Sequence, residues 1–248
     1  MQHLVGILGY NSQPRLDKCA ASVLADMPPD SSLIIVDNGK EPLLQPPGAV
    51  AYYVRDATKG GFTAALRWFL RRALDEGCET ATFLNDDLFL EPGCLAAMIK
   101  CAAEEPAIGV VAPMQVAMSN SQIVICGGTG RAYPAGIHKQ GQRGIAWRAA
   151  QDCRWMPFAA VTFNMEAVRD IGLPDPNMQL WFSDSDYCIR ARLHGFRVRY
   201  LGEQAVVQHE QSAAINTMDQ EARAVRFTAD MLAFKRKWGG DILTDYST

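Results

Sequence analysis

Residues 180–195, LWFSDSDYCIRARLHG, place two carboxylates, Asp184 and Asp186, where the pattern starts a helix, with Trp181 just before them. A carboxylate within hydrogen-bond reach of a hydroxyl takes its proton and turns a poor nucleophile into a competent one. Ser183 and Asp186 also have the spacing of a capping box, with Ser183 as the helix N-cap. Acids in a first helical turn are favoured by the helix dipole as well. Asp186 therefore has a sufficient structural reason to be there, and Asp184 has less, which makes Asp184 the candidate base.

A second acidic group, Asn85-Asp86-Asp87, follows the apolar run Thr80–Leu84. Adjacent carboxylates repel each other unless a cation neutralises them. Magnesium and manganese favour carboxylate oxygens and complete their shells with water and phosphate oxygens. The structural alternative is that one Asp caps the helix near Pro92. Asp37-Asn38-Gly39 ends another apolar run, Leu33–Val36, and reads equally well as a plain turn. Lys59-Gly60-Gly61 precedes a helical pattern. It is neither a Walker loop nor a GxGxxG fingerprint. Its backbone N–H groups suit a phosphate, and an ordinary loop suits it as well. Tyr10-Asn11 ends the first apolar run, and His209 follows Ala205-Val206-Val207, where a lone His is more often structural.

These groups need positioning elements. Leu4–Leu8, Leu33–Val36, Ala49–Val54 and Thr80–Leu84 read as strands. Between them, Leu16, Cys19, Ala20, Val23, Leu24 and Met27 fall on one helix face, as do Phe62, Leu66, Phe69, Leu70 and Ala73. Strands alternating with helices predict an α/β fold with a Rossmann-like, mostly parallel central sheet flanked by helices. Ligands of such sheets bind beyond the carboxyl ends of the strands, where Asn11, Asp37 and Asn85-Asp86-Asp87 all lie. Farther on, Ile123–Ile125 reads as a strand and Asn164 caps a short helix ended by Gly172. Residues 127–148, with His138, Lys139, Arg143 and Arg148, read as a long loop that would cover a ligand or lie solvated. The last helix is expected to start at Thr217 with Gln220 as its capping partner. Its apolar face is expected to be Met218, Ala222, Val225, Ala229 and Leu232, with Arg223, Arg226, Lys235, Arg236 and Lys237 on a basic, solvated side.

At 248 residues the chain suits one compact domain of two abutting halves, 1–115 and 116–248. With 48% hydrophobic and 21% charged residues, net charge -3 and pI near 5.8, nucleic acid is not expected as a partner. Seven scattered cysteines without a CxxC predict reduced, mostly buried thiols in a cytoplasmic protein. No signal peptide or membrane-length apolar run is expected, so any membrane contact would be peripheral, through the basic last helix. The same helix offers a surface for a homodimer.

Taken in order, Gly9-Tyr10-Asn11, Val36-Asp37-Asn38-Gly39, Lys59-Gly60-Gly61-Phe62, Leu84-Asn85-Asp86-Asp87, Ser183-Asp184-Ser185-Asp186-Tyr187-Cys188-Ile189-Arg190, His194-Gly195-Phe196 and His209 resemble the family 2 glycosyltransferases of the GT-A fold. The similarity is greatest to bacterial rhamnosyl- or galactofuranosyltransferase-like members, and it covers residues 4 to about 212, with a familiar Lys237-Trp238-Gly239 tail. The resemblance implies a metal-dependent, inverting transfer of a sugar from a UDP- or dTDP-sugar donor to a glycan or lipid-linked glycan, in bacterial surface polysaccharide synthesis. It implies that Asp37 holds the base or ribose beside Tyr10 and Asn11, with Asn38, Gly60, Gly61, Asn85 and Asp86 around the donor. It further implies Asp87 and His209 as ligands of Mn2+ or Mg2+, and Asp184 as the base. Trp181 would stack on a sugar ring, with Asp186 nearby. Two departures stand out: Ser183 replaces an acid, and Phe158-Ala159-Ala160 replaces a Gly-Ala pair near the donor sugar. Ser183 keeps open a nucleotide-sugar-binding protein without turnover. A sugar nucleotidyltransferase is the other alternative, against which stands the lack of a Gly-rich N-terminal phosphate loop.

Overall fold

The computed structural model describes residues 2–44, 52–55, 61–126, 148–210 and 219–239. Gly60, the loop residues 127–147 with His138, Lys139 and Arg143, and Thr217 and Met218 lie outside them.

Three apolar runs become the parallel strands β1 (His3–Gly9), β2 (Ser31–Asp37) and β4 (Thr80–Asn85), and β3 (Tyr52–Arg55) joins the edge beside β2. Helices α1 (Gln13–Asp26) and α2 (Gly61–Asp75) connect them. After β4 come β5 (Leu88–Leu90), α3 (Cys94–Glu104), β6 (Ile108–Ala112), β7 (Met114–Ala117) and β8 (Asn120–Cys126). Then follow β9 (Gln151–Cys153), β10 (Ala160–Asn164), α4 (Met165–Ile171), α5 (Ser183–Leu193), β11 (Arg197–Tyr200), β12 (Val206–His209) and α6 (Gln220–Trp238). The main sheet has the order β3-β2-β1-β4-β10-β6-β11-β9. It is parallel from β3 to β4 and between β6 and β11, and β10 and β9 run against their neighbours. A smaller sheet has the order β5-β12-β7-β8.

Alternation along the strands divides the core into two layers. Val5, Ile7, Leu33 and Ile35 point toward α1 and α3, whereas Leu4, Leu8, Ile34 and Val36 point toward α2, α4, α5 and α6. Burial on both faces is why these strands read as continuous apolar runs. Gly6 lets α2 approach closely: a Cβ there would stand 2.6 Å from the Phe69 ring.

Two expectations about helices are corrected. Helix α5 is capped by Phe182, not Ser183, which is already the first helical residue. Phe182 has φ 66°, a left-handed conformation that is strained for a bulky residue, and it persists where packing over-determines it. Its ring lies 5.5 Å from that of Phe227 and 5.2 Å from that of Phe234, both on α6. Helix α6 starts at Gln220, with Asp219 accepting from Glu221 and Ala222 N–H. Its packed side is Phe227, Asp230, Met231, Ala233, Phe234 and Trp238, whereas Val225 and Leu232 of the expected apolar face are 66% and 47% exposed. Large aromatic rings bury more area than the Ala-rich stripe, so they decide which side docks.

Candidate active site

A cleft of about 300 Å3 lies beyond the C-terminal ends of β1, β2 and β4. Its walls include Leu8, Tyr10 and Asn38 from those ends, Gly61 and Phe62 from α2, and Asn85, Asp86 and Asp87. Pro157, Phe158, Ala159, Leu180, Ser183, Asp184, His209 and Arg226 complete the lining.

The turn between β4 and β5 places the acids. Tyr10 N–H donates to Asp86 Oδ2 at 2.8 Å. Burial pushes the Asp86 carboxyl up to about 7, with the Tyr10 bond opposing and the adjacent Asp87 adding to the rise. β12 runs antiparallel to β5 with His209 opposite Leu88, and Glu210 N–H donates to Asp87 O at 3.0 Å. This pairing brings His209 Nε2 to 3.4 Å from Asp87 Oδ1. Gln115 Oε1, on β7, faces His209 Nδ1 at 2.9 Å. With that oxygen as acceptor, Nδ1 carries the proton and Nε2 turns a lone pair toward the carboxylate. Two acceptors facing each other call for a cation or a proton between them.

A divalent cation fits this donor set. Asp87 Oδ1 is buried without a hydrogen-bond partner among the described residues, as are Asn38 Oδ1 and Asn85 Oδ1. Among the described residues no group of three or more His, Cys, Asp or Glu side chains forms a metal cage. Asp87 and His209 therefore offer two protein ligands, in keeping with a cation that retains water and substrate oxygens.

Asp184 lines the same cleft and is partly exposed. Ser185 N–H donates to its Oδ1 at 2.7 Å, and the Trp155 side chain lies near enough to favour its charged form. Burial dominates and pushes its carboxyl up to about 6, while the Ser185 bond and the Trp155 side chain work to lower it. A base poised there is ionised at neutral pH and still basic enough to take a proton.

Of the residues expected at the site, Tyr10, Asn38, Gly61, Asn85, Asp86, Asp87, Asp184 and His209 meet around this cleft. Four others stand outside its lining. Asp37 is fully buried, with its oxygens accepting from Gly39 N–H at 2.9 Å and Leu43 N–H at 3.0 Å. Asn11 is exposed and accepts from Lys40 N–H at 2.7 Å, so it shapes the neighbouring loop. Trp181 packs edge-to-face on Phe227, with centroids 5.5 Å apart. Asp186 is fully buried and bonds Arg190 Nε at 2.9 Å, Trp238 Nε1 at 3.0 Å and Lys237 Nζ at 2.7 Å. It joins α5 to α6 and does not form a capping box.

Asp230 was not singled out by sequence, and Arg226, expected on a solvated basic side, lines the cleft instead. Asp230, 1% exposed, accepts from three consecutive N–H groups, those of Gln179 (3.0 Å), Leu180 (2.8 Å) and Trp181 (2.9 Å). The loop that leads into Asp184 is thereby pinned to α6. The signal was the aromatic set Phe227, Phe234 and Trp238, which lies on the side of α6 that carries Asp230. Asp230→Ala leaves those N–H groups unpaired, with an expected stability loss of about 3 kcal/mol in urea denaturation.

Gly61 closes the same corner. Its φ is +79°, and a Cβ would meet Gln179 O at 2.8 Å, the oxygen that accepts from Thr63 N–H. Gly61→Ala is expected to cost about 2 kcal/mol, read from the denaturant midpoint.

The family description Glycosyl transferase family 2 matches residues 5–135, more than half of the chain. No curated protein matches it. Two solved structures share its architecture at 15% identity each. One is GalNAc-T7 with UDP, GalNAc and Mn2+, at TM-score 0.68 over 84% of this chain and 43% of that one. The other is the mannosyltransferase PcManGT from Pyrobaculum calidifontis in complex with GDP-Man and Mn2+, at TM-score 0.60 over 96% of this chain and 65% of that one. The chain spans less than two thirds of either protein's length. The likeness shows the fold, which is GT-A. No described helix is long and apolar enough to cross a membrane.

Proposed function

The chain belongs to glycosyl transferase family 2, and from that premise we propose that it moves a sugar from a nucleoside-diphosphate donor to an acceptor hydroxyl in one inverting displacement. The observation that supports this reading is that Asp184 lines the same cleft as the Asp87–His209 pair. Asp184 takes the acceptor proton as the hydroxyl oxygen bonds to the anomeric carbon, and the bond from that carbon to the diphosphate oxygen breaks. Attack from the face opposite the leaving group inverts the centre. A divalent cation, when bound, supplies positive charge against the charge gathering on the departing diphosphate. Asp87 and His209 would hold it, with the His209 ring oriented by Gln115. On this reading Asn38, Asn85 and Gly61 of the cleft lining would face the donor, and Phe158, where the family resemblance leads one to expect a Gly-Ala pair, would border the donor sugar.

The donor is proposed as a UDP- or dTDP-linked hexose or deoxyhexose, and the acceptor as a glycan or lipid-linked glycan of bacterial surface polysaccharide. The family resemblance supports both. The test is a mass-spectrometric screen of nucleotide sugars with Mn2+, followed by assignment of the product anomer by NMR. An inverted product supports the reading, and retention of configuration sinks the single-displacement mechanism. Nucleotide-sugar binding with no nucleoside diphosphate released across donors and acceptors would favour a binding protein.

A further inference from the structure

Arg226 lines the cleft from α6, half-buried, in the company of Asp86, Asp87 and Asp184. It makes no hydrogen bond or ion pair with any described residue. Arg72, Arg148, Arg190, Arg197 and Arg199 each pair with a carboxylate, whereas Arg226 does not, and of all these only Arg226 lines the cleft. An arginine that lines the cleft without a described protein partner is suited to an anion that arrives as a ligand.

Its position says which wall it serves. Arg226 Nη1 lies 3.8 Å from where a Gly61 Cβ would stand. The Gly61 carbonyl accepts from Asn38 Nδ2 at 3.2 Å. The guanidinium therefore stands beside Gly61, whose carbonyl is bonded by Asn38, and on the proposed reading both of those residues face the donor. Helix α6 holds it there firmly. One turn beyond Arg226, Asp230 grips the 179–181 backbone, and farther along Lys237 and Trp238 grip the buried Asp186. A cation delivered on a rigid element binds without first being ordered.

We propose that Arg226 is the protein's own cation for the diphosphate of the donor, a role that rests on the donor reading above. A guanidinium presents a planar fork that meets two phosphate oxygens at once. Together with a cation at Asp87 and His209, it would divide the charge of the diphosphate between two centres. Helix α6 lies beyond the matched residues 5–135 and is on this account part of the donor site.

The test is calorimetric titration of the full chain with inorganic pyrophosphate and Mn2+, and with uridine as a control lacking phosphate, in wild type, Arg226→Ala and Arg226→Lys. Arg226→Ala is expected to bind pyrophosphate about 10- to 100-fold more weakly. Arg226→Lys is expected to keep part of that affinity, and uridine affinity is expected not to change. Melting without ligand is expected to be unaltered, because the guanidinium bonds nothing described in the protein. Equal pyrophosphate affinity in wild type and Arg226→Ala overturns the proposal and leaves the transferase reading standing. So does a variant whose acceptor KM alone rises, which would assign Arg226 to an anionic acceptor. A wild-type chain that binds no pyrophosphate with Mn2+ removes the donor reading and this inference together.

Discussion

Asp184→Asn is expected to lower transfer by about 10²- to 10⁴-fold, the usual contribution of a positioned general base. Nucleotide affinity with Mn2+ is expected to hold, because Asp184 bonds Ser185 N–H and is not part of the Asp87–His209 pair. The pH dependence gives a second, independent readout. Burial raises the Asp184 carboxyl to about 6, so the wild-type rate is expected to climb through about pH 6 as the base ionises. Without the carboxylate that limb disappears. Stability runs the other way. A carboxyl whose folded pKa lies above its unfolded value favours folding at low pH, and that contribution is lost as pH rises through about 6. Asp184→Asn is therefore expected to be at least as stable as wild type at pH 8, by urea denaturation. Loss of rate with no loss of stability separates a base from a structural acid. Unchanged turnover would remove Asp184 from the role.

Asp87→Ala is expected to weaken Mn2+-dependent nucleotide binding by about 100-fold or more, since disturbing even groups behind a metal ligand costs about 10- to 100-fold. The fold is expected to survive, because the β5–β12 pairing uses the Asp87 carbonyl and not its side chain. Gln115→Leu provides the graded companion. It removes the acceptor that holds the His209 tautomer, and about a 10-fold loss of Mn2+ affinity is expected. A Mn2+ titration monitored by nucleotide-dependent melting reads both variants. Equal nucleotide protection in Asp87→Ala and wild type, with and without Mn2+, would sink the metal assignment.

The N-terminal strands and helices were legible because each expresses a local rule. β1, β2 and β4 are buried on both faces and so appear as uninterrupted apolar runs, and α1 and α2 show one apolar stripe each. The cleft residues Tyr10, Asn38 and Asn85–Asp87 were legible for a related reason: they follow strands, and ligands of parallel sheets bind there. Helix α6 was misread because period alone cannot weigh an alanine stripe against aromatic rings seven residues apart. Its expected apolar face is open, and Arg226, placed by sequence on a solvated basic side, lines the cleft.

What the sequence by itself determined is the alternating α/β order, the family, and the acids from which a base and a metal ligand are chosen. Tertiary structure alone decided how those residues meet. Asp87 reaches His209 only because β12 pairs with β5, and no local periodicity encodes a pairing between strands so far apart in the chain. The two acids of α5 look alike in sequence and part in space: Asp186 is sealed among Arg190, Lys237 and Trp238, and Asp184 opens to the cleft. Ser183, expected to cap that helix, is instead preceded by a strained Phe182, which α6 clamps between two rings. Burial and hydrogen bonding from a distant helix set those roles, and both exist only once the chain has folded.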